Sequence, residues 1–165
     1  MALKTALKKK LHDAERIALL GIGSQLRGDD ACGVLIAKDL KKSIPAFSGR
    51  RVFKVFIGDT APENVTGQIK KFNPTHLILI DAADIGKKAG QARLISPDET
   101  SGISFCTHQL PLKILVDYLT WSIGCKVIII GIQPKSLDFG KSPSRQIKEA
   151  MLCITAIFRE ILEIK

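Results

Sequence analysis

Three short aliphatic runs constrain this chain more than anything else in its sequence. Arg16–Gly23 (RIALLGIG), His76–Ile80 (HLILI) and Val127–Gly131 (VIIIG) are apolar without alternation. A strand buried on one face reads apolar–polar–apolar, so continuous runs of this length point to strands covered on both faces. Segments with helical periodicity separate them. Ala31–Lys42 carries Val34, Ala37 and Leu40 at helical spacing, with Ser43 and Pro45 ending it. Pro62–Phe72 places Val65, Ile69 and Phe72 on one stripe, and Asn73-Pro74 breaks it. Leu110–Trp121 reads as a further helix. In the last segment, Ser142 serves as N-cap and Pro143 as first helical residue. Ile147, Met151, Ile154, Phe158 and Ile161 follow at spacings of four, three, four and three. Val52–Ile57 adds a strand, and Gln91–Ile95 a short mixed one suited to a sheet edge.

Strands that alternate with helices predict a three-layer α/β/α sandwich with a mostly parallel central sheet. The expected strands cover residues 16–22, 52–57, 76–81 and 127–132. With 165 residues, no linker and no repeat, the chain reads as a single α/β domain over 1–165. Residues 1–15 form a lead-in helix or frayed segment. None of the apolar runs nears the ~18 residues that span a bilayer, so no membrane span is expected.

Lysine and arginine number 25 against 16 acidic residues, a formal charge of +9. The basic residues are scattered in pairs such as Lys41-Lys42, Lys70-Lys71 and Lys87-Lys88, with no interleaved aromatics. That pattern suits solvated charge, or a surface for an acidic partner, rather than a nucleic-acid groove. Cys32, Cys106, Cys125 and Cys153 show no CxxC spacing, and Cys32, Cys125 and Cys153 read as small core residues. The N-terminus carries charge without an apolar stretch behind it, so a reducing, cytoplasmic location is expected.

In parallel sheets, ligands sit outside the carboxyl ends of the strands. After the first strand comes GIGSQLRGDDACG, residues 21–33. Leu26 stands where a dinucleotide fingerprint needs its third glycine, and no Lys-Ser/Thr follows, so nucleotide binding is disfavoured. Asp29 and Asp30 are adjacent at a helix start. One of them can cap that helix, and a bound cation would relieve their mutual repulsion. Asp81 follows four apolar residues directly, where a carboxylate is costly unless paired or metal-bound. Asp84 reads as loop surface. His108 lies in CTHQLPL before the fourth helical segment, whereas His12 is in the polar lead-in and His76 begins a strand at its opposite end. Two carboxylates and an imidazole suit a divalent transition ion, with positions left open for water or substrate.

GIGSQLRGDDACGV, DTAPENVTG, LILIDAAD, THQLPLKIL and GIQPKSLDFG, taken in order, resemble the NiFe-hydrogenase maturation endopeptidases. The likeness spans residues ~16–163 and is closest to the branch that processes the hydrogenase 3 large subunit. It implies an endopeptidase that removes a C-terminal extension from the large-subunit precursor after nickel insertion, with nickel as the recognition signal. Carried over by motif, Asp30, Asp81 and His108 would contact the Ni(2+), which the substrate brings; another divalent ion could sit there in the isolated protein. Asp30 and Asp81 are also the candidate catalytic groups. Ser24 replaces the family's usual asparagine, Asp30 a frequent glutamate, and Asp59 an expected glycine. Asp138 in GIQPKSLDFG offers a further polar group. No serine–histidine–aspartate or HExxH signature is present, and Cys106 has no activating neighbour in sequence, so metal-assisted hydrolysis is the expected chemistry. The precursor is the expected partner, and the protein is expected to be monomeric. The alternatives are a nickel-sensing binding module or metallochaperone without hydrolysis, and a small nucleotide-binding regulator.

Overall fold

The computed structural model describes residues 2–43, 47–48, 51–105 and 111–162. Among the described residues there are seven strands: β1 (Arg16–Ile22), β2 (Phe47–Ser48), β3 (Arg51–Asp59), β4 (His76–Asp84), β5 (Ala92–Ile95), β6 (Ser104–Phe105) and β7 (Lys126–Ile132). Their order across the sheet is β2-β3-β1-β4-β7-β5, with β6 paired to the far end of β4. β3, β1, β4 and β7 run parallel. The short β2 and β5 are antiparallel to their neighbours.

Side-chain alternation divides the core into two layers. Ile17, Leu19, Ile78, Ile80, Ile128 and Ile130 face α1 (Ala2–Lys10), α2 (Cys32–Ser43) and α5 (Arg145–Ile161). Ala18, Leu20, Leu77, Leu79 and Ile129 face α3 (Thr66–Phe72) and α4 (Leu112–Ile123). Both faces of each central strand are therefore covered, which is why those segments carry no polar alternation. The three-layer α/β/α sandwich follows directly. The lead-in is an ordered helix whose Leu7 is buried in the first layer. Arg51 donates to the Leu11 and Ile161 carbonyls, joining the chain just after α1 to the end of α5.

The elements differ from the sequence expectation at several edges. α5 begins at Arg145 with Ser144 as its N-cap, two residues beyond the expected Ser142 cap. The Ser144 hydroxyl accepts from the Ile147 N–H and also meets Asp29, so a tertiary contact selects the capping serine. Both middle helices open with a 3-10 turn, Gly28–Ala31 before α2 and Pro62–Val65 before α3. Cys153 is exposed rather than core, because the buried stripe of α5 (Ile147, Ile154, Phe158, Ile161) points the other way. Met151 is only partly buried. β4 continues past Asp81 to Asp84, so Asp81 lies inside a strand rather than at its lip.

The sheet order places a switch point between β1 and β4. From β1 the chain crosses by α2 to β3 on one side, then returns by α3 to β4 on the other. A crevice opens at the carboxyl ends where the order reverses. Gly33, in the first turn of α2, is pressed against that crevice. A Cβ there would lie 2.1 Å from the Ile80 carbonyl oxygen and 2.3 Å from that of Ile22. Both atoms are backbone and cannot yield without moving β1, β4 or the helix.

Replacing Gly33 with alanine should therefore cost about 3 kcal/mol, the upper range for overpacking a well-filled site. Gly67, on the exposed side of α3, has nothing within 4 Å of its would-be Cβ. Alanine there should add about 0.5–1 kcal/mol through helix propensity. Urea unfolding of the two variants should shift in opposite directions.

Candidate active site

Three described segments meet at the switch point: the turn from Gly23 to Ala31 after β1, the end of β4, and the loop of residues 133–144 after β7. Gly23 has φ +134, and a Cβ on it would lie 1.8 Å from the Asp30 carbonyl oxygen. The GIG glycine thus lets the chain double back beneath its own loop, and that accounts for it without a phosphate. Asp59, where the family resemblance led us to expect glycine, has φ +47, a left-handed backbone that glycine adopts at no cost. Its carbonyl accepts from Gly23 N–H at 2.9 Å and its carboxylate from the Gln25 amide at 3.2 Å.

The adjacent aspartates have separate tasks. Asp29 is buried, and its carboxylate takes the N–H groups of Lys135 (2.6 Å), Ser136 (3.1 Å) and Ser144 (2.6 Å), together with the Ser144 hydroxyl (3.0 Å). It fastens both ends of the 133–144 loop rather than serving the helix that follows it. Burial pushes its carboxyl up. The Ser144, Lys135 and Ser136 backbone donors and the Ser144 hydroxyl outweigh that, so it titrates below the usual aspartate value. Asp30, fully buried, accepts the Ser24 N–H at 2.8 Å through one carboxylate oxygen. The residue that replaces the family's asparagine therefore holds Asp30 through its backbone.

Asp81 is also fully buried and pairs in register with Gly131 of β7. Its predecessor Ile80 pairs with Gly21 of β1, which sets Asp81 beside the point where β1 gives way to its loop. Cys32 ties the acids together. Its thiol is wholly buried and is pushed well above its ordinary range, first by desolvation and then by the charges of Asp81, Asp30 and Asp29. Two carboxylates from different connections thus bear on one side chain. Both are fully buried, in contrast to the solvent-open set expected from sequence.

Residues 106–110 lie outside the described residues, and with them Cys106 and His108. Among the described residues, no three His, Cys, Asp or Glu side chains group to hold a metal ion. His76 lies at the opposite end of β4, its Nε2 3.3 Å from Asp13, and His12 is beside the same aspartate. Asp84 is exposed at the strand end and accepts from Gly86 N–H. Asp138 is exposed on the 133–144 loop. The role of Asp29 carries no local sequence signal, because its partners lie more than a hundred residues away.

Residues 34–161 match the family model described as hydrogenase maturation protease. The hydrogenase 3 maturation protease of Escherichia coli is 38% identical over 134 residues, covering 81% of this chain and 82% of that protein. The chain belongs to the hydrogenase maturation protease family. The crystal structure of a NiFe-hydrogenase maturation protease from Thermococcus kodakarensis aligns with a TM-score of 0.84 at 32% identity, over 96% of this chain and 99% of that one. The hydrogenase 2 maturation protease of E. coli is 30% identical over 157 residues, 88% of this chain and 92% of that protein. The protein is thus an enzyme that hydrolyses peptide bonds, which sets aside the readings as a non-hydrolytic module or a nucleotide-binding regulator. The family match begins at Val34, beyond both aspartates, and the loop-holding part of Asp29 rests on its own hydrogen bonds. No helix among the described residues is long and apolar enough to cross a membrane.

Asp29→Ala removes the acceptor of three part-buried backbone donors and should lower stability by about 1–3 kcal/mol. A carboxyl whose folded pKa is depressed contributes stability that is present above its unfolded pKa of about 3.9. That contribution is lost as pH falls through the lower folded value. Chemical unfolding from pH 6 down to pH 2 should therefore show a shallower acid decline for the variant than for the wild type.

Proposed function

We propose that this protease removes the C-terminal extension from the large-subunit precursor of a NiFe-hydrogenase after nickel has been inserted. Nickel arrives with the substrate and is read by Asp30, Asp81 and His108. The observation that supports the proposal is the pair of fully buried carboxylates, Asp30 and Asp81, whose charges both act on the Cys32 thiol. Asp29, the third acid nearby, is already committed to the 133–144 loop. A divalent cation brought by the substrate is attracted to this pair of buried carboxylates by their negative charge. Carboxylate oxygens and an imidazole nitrogen suit nickel among the divalent ions. A precursor that carries its metal gains this interaction, and an unloaded precursor does not. Cys32 stays a protonated thiol, so the ligand set of this reading is oxygen and nitrogen.

Peptide hydrolysis needs a proton acceptor for the attacking water. The same two carboxylates are the acceptors closest to a docked cation, and a bound cation itself eases the deprotonation of water. Binding and chemistry thereby share one site, so recognition of the metal also aligns the scissile bond.

Purified protein incubated with nickel-loaded hydrogenase 3-type large-subunit precursor should shorten it on a gel, with the released peptide identified by mass. Nickel-free precursor should remain intact. Asp30→Asn retains an oxygen for the Ser24 N–H and should fold normally, while cleavage falls at least about 100-fold. Formation of a complex without shortening, or cleavage unaffected by Asp30→Asn, would rule the proposal out.

A further inference from the structure

The mouth of the site carries two large apolar side chains that the fold does not need. Leu26, in the turn after β1, is 61% exposed, and Phe139, in the loop after β7, is 76% exposed. Nothing in the core accounts for them, yet their backbones are held together. The Leu26 carbonyl accepts from Gly140 N–H at 2.8 Å. Asp29 N–H donates to the Ser136 carbonyl at 3.1 Å, and the Asp29 carboxylate clamps both ends of the second loop. Gly28 lies so close to the same loop that a Cβ on it would be 3.0 Å from the Ser136 carbonyl oxygen. The two loop tips therefore form one rigid platform, three residues along the chain from the buried Asp29.

The platform is also positive. Arg27, Lys135 and Lys141 flank Leu26 and Phe139 in sequence, against two exposed acids, Asp138 and the Asp59 that Gln25 holds. The ion pairs of the described residues involve other cations. Isolated exposed apolar residues are ordinary, but two on joined loops beside a buried acidic site mark a contact surface. A rigid apolar pair costs little ordering on binding, and flanking cations select an acidic neighbour.

We propose that Leu26 and Phe139 form the platform on which the C-terminal segment of the precursor docks. An apolar side chain of that segment rests on the pair, and its acidic groups meet Arg27, Lys135 and Lys141. This rests on the reading of the substrate given above. Leu26 and Phe139 determine affinity and leave the chemistry of Asp30 and Asp81 untouched.

The test pairs calorimetric titration of nickel-loaded precursor with cleavage kinetics. The double variant Leu26→Ser/Phe139→Ser should melt as the wild type does, since both side chains are exposed. It should bind about tenfold more weakly, with KM raised by a similar factor and kcat preserved. Arg27→Glu/Lys135→Glu should weaken binding as well, most strongly at low salt. Leu152→Ser, which removes an equally exposed (73%) apolar residue from α5, should change neither quantity. Equal affinity in the wild type and the double variant would overturn the platform while leaving the proteolytic reading intact. So would a loss matched by Leu152→Ser. A wild type that neither binds nor cuts the precursor would overturn both.

Discussion

The approach of α2 to the sheet is the constraint on which the rest of this structure depends. The first helical turn sits over two parallel strands at once, with Gly33 between the carbonyls of Ile22 and Ile80. No side chain fits that gap. Because the helix is so close, the turn before it must also lie against the strand ends. Asp30 and Cys32 therefore arrive at the switch point rather than above it. The short approach thus converts a routine strand–helix connection into a wall of the active site.

Burial gives the neighbouring aspartates different chemistry. Asp29 is surrounded by backbone donors and is satisfied entirely within the protein. Asp30, fully buried, accepts the Ser24 N–H instead. One acid holds the loop of residues 133–144, and the other holds the turn after β1 through the Ser24 N–H. The Cys32 thiol between them is kept protonated by desolvation and by the surrounding negative charge.

Much of this was legible in the sequence, for physical reasons that can be named. Runs such as HLILI and VIIIG are apolar throughout only when both faces are covered, so they located the central strands and the sandwich together. The family resemblance rested on motifs at strand ends, and the matched relatives bear it out. The position of Asp81 within β4 was not legible, because an apolar run does not reveal that pairing with β7 continues through residues 81 and 82. The start of α5 was missed because Ser142 and Ser144 look equally able to cap. Asp29 decides between them from 115 residues away. The exposure of Cys153 depended on the phase of the same helix, which its flanking residues Leu152 and Ile154 leave ambiguous. Of the site, the sequence marked Asp30 and Asp81 as acids next to apolar segments, and both are fully buried; His108 lies outside the described residues.

The borders of the sheet have a consequence of their own. The parallel strands are capped on one side by β2, two residues long, and on the other by β5, four residues long and antiparallel. A long bare strand edge is a template onto which any extended chain can zip through backbone hydrogen bonds, whatever its sequence. Here β5 covers Ile129–Ile132 of β7 on one side, whereas β2 covers only Arg51 and Val52 of the nine-residue β3, so among the described residues the β3 border is the longer bare one.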